Sequence, residues 1–332
     1  MKNFFATLLI LFSLGGSFAL FAEEAATLPA RVGRLYVVPA YAFANKAYDE
    51  DGKSHNIPDG AGSLKAFNLS FALEYGITSW ISAAVQWAPG WNIWSEIDNA
   101  SAPFNFDFNA NGVYDLFVGA KIQLVGAVAP IKTNMFRFSV APGVKIPMPG
   151  ADIINDKEFA TDYYAEMLAG NLKTGDKVTA ANPDKHAWGF GARFYFDWVI
   201  NEHFFIDLYN ETIFYPVEAD LAMFRSSVIK AKYGYDLTFE IEPRFQTALS
   251  DAVTFKAGVP VAIKINPDVE DTDGNVLSDK TKLLTVGPSL YLFLTKTPLP
   301  LEFQAQYKIP VYGESTRANN TLAFTVKAYF KI

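Results

Sequence analysis

The chain contains no cysteine, which excludes disulfides and a lipid-anchored N-terminal cysteine. Only three histidines are present, His55, His186 and His203, so acid–base chemistry has little to draw on. None lies in a run like His-x-Ser-Asn-Gly, and no serine stands beside His186; an enzyme is not expected. Charge is also sparse. Asp, Glu, Lys and Arg make up 19% of the residues, below the share of about a quarter usual for soluble domains. The net charge of −7 argues against nucleic acid as a partner. Beyond the first two dozen residues no apolar run approaches the about 20 residues of a membrane helix.

Apolar and aromatic side chains are nevertheless plentiful, with Phe, Trp and Tyr at 15%. A chain this apolar without helical spans has two ways to bury such residues: a soluble β-rich core, or strands whose apolar face meets lipid. The leading segment points to export. Met1-Lys2 supplies one positive charge, Phe4 to Phe12 is mostly apolar, and Gly15-Gly16 breaks the run before small residues at Ser17, Ala19 and Ala22. This is the order of a cleavable signal peptide, 1–22, leaving 23–332 as one mature domain that begins Glu23-Glu24.

Strict alternation identifies strands, because successive side chains on a strand point to opposite faces. In Lys65–Tyr75, Phe67, Leu69, Phe71, Leu73 and Tyr75 share one face; Ala66, Asn68, Ser70, Ala72 and Glu74 share the other. Similar runs predict twelve strands, near 34–48, 63–75, 80–88, 112–125, 135–147, 187–199, 203–216, 234–248, 253–266, 283–295, 300–312 and 321–332. The links 76–79, 200–202, 250–252 and 296–299 are short. The segments 49–62, 89–111, 148–186, 217–233, 267–282 and 313–320 are longer and polar. Sorting turns from loops in this way is how outer-membrane barrels are built, with both termini on the periplasmic side. The expected fold is therefore all-β, a transmembrane antiparallel up-and-down β-barrel of about twelve strands.

Aromatics give this barrel a scale. Trp188 and Trp198 share one face of one strand, and ten residues at about 3.3 Å each, tilted about 40°, rise about 25 Å, the height of a lipid-facing band. Trp188, Trp198, Tyr75 and Phe330 are the expected membrane-interface aromatics. The last strand, ending Phe330-Lys331-Ile332, resembles the C-terminal signal read by barrel-assembly machinery, with Ile332 where Phe is usual. Expected partners are thus outer-membrane lipid, that machinery and a small-molecule solute; no cofactor is expected, and oligomeric state is left open. Prolines 142, 243, 260, 288 and 310 interrupt predicted strands, as bulges or as a kink that opens the wall toward lipid.

The opposite face carries the charge. Asp115, Lys121, Arg137, Arg193, Asp207, Glu240, Glu242, Arg244, Lys256 and Glu302 are candidates to line a lumen and select solutes. Both signs there require water or partners, since isolated buried charge is costly. Twelve strands give a wall about 24 Å across, too wide for side chains alone to fill. Glu23 to Gly33 is too short for a long N-terminal hatch, which leaves 148–186 as the expected constriction, with a mildly helical stretch over Asp156–Leu172. Asp107, Asn109, Asn111 and Asp115 have the oxygen spacing of a calcium loop, but Val118 stands where its closing acid belongs. Asp49-Glu-Asp51-Gly52 and Asp271-Thr-Asp273-Gly274 are shorter echoes, and also ordinary turn sequences.

Gly112-Val-Tyr-Asp115-Leu-Phe-Val-Gly119-Ala-Lys121 resembles the Gly-x-x-Asp-Leu-x-x-Gly-x-(Lys/Arg) strand of the outer-membrane family named for the meta-pathway of phenol degradation. Gly143-Val-Lys-Ile-Pro147 is similar to its Gly-x-Lys-x-Pro exit, and Tyr75-Gly-Ile-Thr78 to its periplasmic turn. Met148-Pro149-Gly150 departs from the pattern, where Thr-Gly usually follows the proline. The resemblance implies a channel for small hydrophobic or aromatic compounds. The proline kinks bear a more distant likeness to fatty-acid transporters, which implies lateral opening. A non-conducting adhesin or structural barrel is the third expectation.

If the leader is read correctly, mass spectrometry of the membrane-extracted protein finds a chain starting at Glu23. A chain that keeps residues 1–22 contradicts the export reading.

Overall fold

A computed structural model describes residues 24–57, 64–88, 93–98, 105–110, 115–148, 176–180, 185, 187–223 and 227–331. The wall has twelve strands: β1 (Val32–Ala44), β2 (Leu64–Thr78), β3 (Ile81–Trp87), β4 (Leu116–Val125), β5 (Phe136–Ile146) and β6 (Gly189–Val199) make the first half. The second half is β7 (Phe204–Tyr215), β8 (Gly234–Ser250), β9 (Val253–Gly258 and Val261–Asn266), β10 (Thr281–Val286 and Ser289–Leu294), β11 (Leu301–Glu314) and β12 (Asn320–Lys331). Neighbouring strands run antiparallel. The last pairs with the first, Leu35 opposite Ala328 and Phe43 opposite Asn320, so the sheet closes and leaves no edge.

The alternation read from the sequence is the alternation of burial. Along β2, Asn68, Ser70, Ala72 and Glu74 are buried while Leu73 and Ile77 lie exposed on the outside. Along β6, Tyr195 and Asp197 face in, and Trp188, Phe190, Phe194 and Trp198 face out. Trp188 and Trp198 are 44% and 42% exposed on the outer face. Tyr75 and Phe330 flank Gly33 across β1, and the Phe330 ring lies so close that a Cβ on Gly33 would stand 2.4 Å from it. Inward residues of β1, β2 and β12 include small ones (Ala40, Ala72, Ala323), packed beside Tyr36 and Val38.

The expected first strand ends early. After Ala44 the chain turns away, and Lys46–Tyr48, Ser54–Asn56 and Thr316–Arg317 form a separate three-stranded sheet. Four further strands from the 217–233 and 267–282 segments make a second small sheet, and Ile93–Asp98 pairs with Asn105–Ala110 inside the long 89–111 segment. Long loops hold backbone donors and acceptors that need partners, and local hairpins supply them. The Asp-Gly echoes are turns of this kind. Asp49 Oδ1 accepts from the amides of Asp51 and Lys53 at 3.0 and 2.8 Å; Asp271 Oδ1 accepts from Asp273 and Asn275 at 2.8 Å. The proposed signal peptide, the helical stretch over 156–172 and Asn111 of the calcium-loop candidates fall outside the described residues; Asp107 and Asn109 lie on the strand Asn105–Ala110, and Asp115 faces Lys145 at 3.8 Å.

The prolines break strands without opening the wall. β9 and β10 are interrupted at Val259-Pro260 and Gly287-Pro288, beside Pro243 of β8. Val259 N donates to Pro243 O (3.2 Å), Gly287 N to Pro260 O (3.3 Å) and Tyr307 N to Pro288 O (3.1 Å), so the connection is carried across the row. Gly287 permits the approach: a Cβ there would sit 1.6 Å from the Tyr307 carbonyl oxygen. A bulge in the register against β10, at Leu284/Thr285, takes up Pro310. The lumen side of the row is polar, with Glu242, Ser289 and Gln306 buried there. Lateral passage of apolar molecules calls for the opposite.

Phe194, outward and 40% exposed at the middle of β6, tests the lipid-facing assignment. Phe194→Lys destabilises the barrel by about 2–4 kcal/mol, the cost of a cation near the bilayer midplane. Urea titration of the lipid-folded protein measures this; an unchanged midpoint denies contact with acyl chains.

Candidate functional site

The site is the lumen, and its unexpected occupant is residues 24–28. The segment before β1 folds back into the barrel at the short-turn end, held strand by strand. Ala25 N donates to both oxygens of Asp197 at 2.9 and 3.0 Å, and its carbonyl accepts from Ser139 Oγ. Thr27 N donates to Gln123 Oε1 (3.2 Å), Leu28 N to Ser82 Oγ (3.2 Å), and Lys121 Nζ to the Glu24 carbonyl (2.5 Å). Ala25 is fully buried against Ala141, Tyr195 and Tyr209. Gly76 lets the segment pass, since a Cβ would stand 2.1 Å from the Pro29 carbonyl oxygen. A stretch read as too short for a hatch thus enters the lumen, because side chains from β3 to β6 reach its backbone; most of 148–186, the expected constriction, lies outside the described residues.

The Glu24 carboxylate anchors the segment on the far wall. It pairs with Lys256, with Arg244 at 3.5 Å and more loosely with Arg137 at 4.0 Å. Lys256, opposed by the cost of burial, holds the Glu24 carboxyl well below the usual carboxylate range. These cations also answer a problem in the wall itself. Asp197, Asp207 and Glu242 stand directly opposite one another across β6, β7 and β8, an arrangement that repels. Arg244 lies 2.9 Å from Asp207 and 2.6 Å from Glu242, and Arg137 lies 3.5 Å from Asp197.

All ten candidate lumen residues lie on the inner face, and the structure shows what each meets. Asp115 pairs with Lys145 (3.8 Å), Glu240 with Lys308 (2.6 Å) and Glu302 with Lys327 (2.8 Å). Arg193 donates Nε to Glu211 and Nη2 to Gln86 Oε1 at 2.5 and 2.9 Å, and its guanidinium stacks 3.9 Å from the Phe117 ring centroid. Nearer the long loops, Lys185 meets Asp236 at 2.5 Å and lies over Tyr215, where Ala187, Ile213, Ala219, Ala231 and Tyr233 form an apolar cluster. His55 lies on the Ser54–Asn56 strand of the small sheet and His203 in the turn before β7, against Asp49 (2.6 Å) and the Gln246 carbonyl (3.1 Å).

Glu24, Gln123, Ser139 and Ser82 were not singled out from the sequence. One signal was available. Polar inward residues collect at the short-turn ends of β3 to β6, and an acidic pair opens the expected mature chain.

No family model matches the chain, and no curated protein matches it in sequence. Among solved structures it is similar to an outer membrane channel from Pseudomonas putida F1, at 14% identity and a TM-score of 0.62, over 92% of this chain and 98% of that one. Weaker likenesses are to a FadL homologue from Pseudomonas aeruginosa (12% identity, TM-score 0.42, 92% and 91% covered) and to the P. putida toluene transporter TodX (7%, 0.41, 92% and 91%). The first agrees with the barrel fold.

Glu24→Gln leaves Lys256 and Arg244 facing the segment without its charge. If the lumen conducts, ion preference shifts toward anions by about two- to tenfold, as a change of up to about 1.4 kcal/mol in ion energy gives. Reversal potentials in a salt gradient measure the shift; an unchanged preference removes Glu24 from the conduction path.

Proposed function

We propose that the chain is an outer-membrane channel for passive passage of small solutes, narrowed by its own N-terminal segment and filtered by lumen charge. The observation that carries this reading is the kind of attachment that holds residues 24–28. Beside the apolar packing of Ala25, hydrogen bonds and ion pairs to wall side chains fix this segment, in a lumen whose polar lining suits water. A barrel meant only as scaffold has no need for a charged interior. Acids and bases in near balance set a field that sorts solutes rather than admitting one sign. The apolar exterior with tryptophans at both ends of β6 supports residence in lipid. Export by the leader, capture through β12 and the membrane-interface role of Trp188, Trp198, Tyr75 and Phe330 belong to the same proposal.

Planar-bilayer recording of the purified protein yields discrete conductance steps. Arg193→Gln and Lys121→Gln each move cation-over-anion preference upward by about two- to tenfold. Silence at all voltages, with the barrel shown to be folded by heat-modifiable mobility, rejects the channel and favours a structural barrel.

A further inference from the structure

The lumen wall already holds one occupant, the chain's own Glu24 and Ala25, and it grips them largely by groups that every peptide has. The peptide unit between the two residues is met at both ends. Lys121 Nζ donates to the Glu24 carbonyl at 2.5 Å, and the Ala25 amide donates to the two oxygens of Asp197 at 2.9 and 3.0 Å. Ser139 Oγ then donates to the Ala25 carbonyl. β4, β5 and β6 each supply one of these partners, so three strands set donor, acceptor and donor in order along a backbone.

Two side chains add selectivity to this main-chain grip. The Glu24 carboxylate meets Lys256 and Arg244 through Oε1 and Arg137 through Oε2. Lys256 is 11% exposed and has no other acid within ion-pair distance among the described residues. A cation so placed needs an acid beside it. The Glu24 side chain is 38% exposed, open to the lumen on one side rather than sealed in the wall. The Ala25 methyl is fully buried against Ala141, Tyr195 and Tyr209, a place of methyl size. The bonds from Thr27 to Gln123 and from Leu28 to Ser82 lie beyond this pair, so its exchange leaves the rest of the segment attached. An occupant on a short tether acts at an effective concentration of about millimolar, which a free molecule with the same groups can match.

Taking the channel reading as its premise, we propose that Lys121, Asp197 and Ser139, with the Lys256–Arg244–Arg137 cluster, form a binding site for small acidic peptides of the glutamyl-alanyl type. Residues 24 and 25 are its resident competitor. An incoming peptide sets its amide between Lys121 and Asp197, its carboxylate on the three cations and a small second side chain beside Tyr195. The solutes favoured are then water-soluble acidic dipeptides, and their arrival frees the tip of the N-terminal segment.

Two readouts on the detergent-purified full chain test this, with acetyl-Glu-Ala-amide as the probe. The chain lacks cysteine, so Ala25→Cys introduces a single small thiol at a fully buried place. Saturating probe speeds alkylation of that thiol about tenfold or more, and acetyl-Gln-Ala-amide at the same concentration does not. In isothermal titration, Ala25→Leu removes the resident competitor without touching the wall. The probe then binds one site about tenfold more tightly than in the unaltered chain. On that variant acetyl-Gln-Ala-amide and acetyl-Glu-Leu-amide bind about tenfold more weakly than the probe. Adding Lys256→Gln brings the probe down to the level of acetyl-Gln-Ala-amide. Heat-modifiable mobility checks that each variant is folded. Alkylation unmoved by the probe, equal affinity for the acidic and amide peptides, or no saturable binding up to about 10 mM overturns the assignment. Conductance without peptide binding defeats the site and spares the channel; peptide binding with silence in bilayers defeats the channel and spares the site.

Discussion

A charge inside this wall has nowhere to go unless something inside meets it. Lipid on the outer face forbids charge there, and the period of two in each strand then commits alternate residues to the lumen. Acids and bases crowd a narrow interior in consequence, three carboxylates of them in direct opposition across β6, β7 and β8. Taking such groups from water costs several kcal/mol each, of order, unless partners are close. Arg244, Arg137 and Lys256 meet part of this demand, and the amide of Ala25 meets another part at Asp197. The N-terminal segment is therefore drawn into the lumen by the same requirement that orders the side chains.

The wall makes room for this interior with small residues and closes its surface with large ones. Gly33 under the Phe330 ring and Gly143 under the Phe117 ring are the same device on opposite faces. In each case the missing Cβ lets an aromatic ring lie flat on the neighbouring strand. Outside, the ring smooths a lipid-facing surface. Inside, it becomes the platform on which Arg193 stacks. The proline row in β8 to β10 is tolerated because glycines and carbonyls beside it keep neighbouring strands bonded.

Most of the wall was legible because lipid and lumen impose a repeat visible within a single strand. The inward set Ala66, Asn68, Ser70, Ala72 and Glu74 needed no partner to be recognised. Pairings were not legible in the same way. Glu24 and Lys256 are 232 residues apart, and no local pattern joins them. Residues 24–28 have no periodicity at all; they are shaped by what the wall offers rather than by their own propensity. The same holds for Lys46–Tyr48, which alternates well enough to be taken as wall but leaves it because the Asp49 turn gives its backbone another partner. Lumen candidates could be named one by one, while the partners they meet depended on register across the strands.

Register also places one ammonium in two roles. Lys121 holds the carbonyl of Glu24 and stands 4.3 Å from the Tyr195 ring centroid. Asp197 and Ser139 secure the next residue, so two successive residues of the segment are fixed by three strands of the wall. A lumen that must neutralise its own charges thus holds its own N-terminal segment, with no separate domain required.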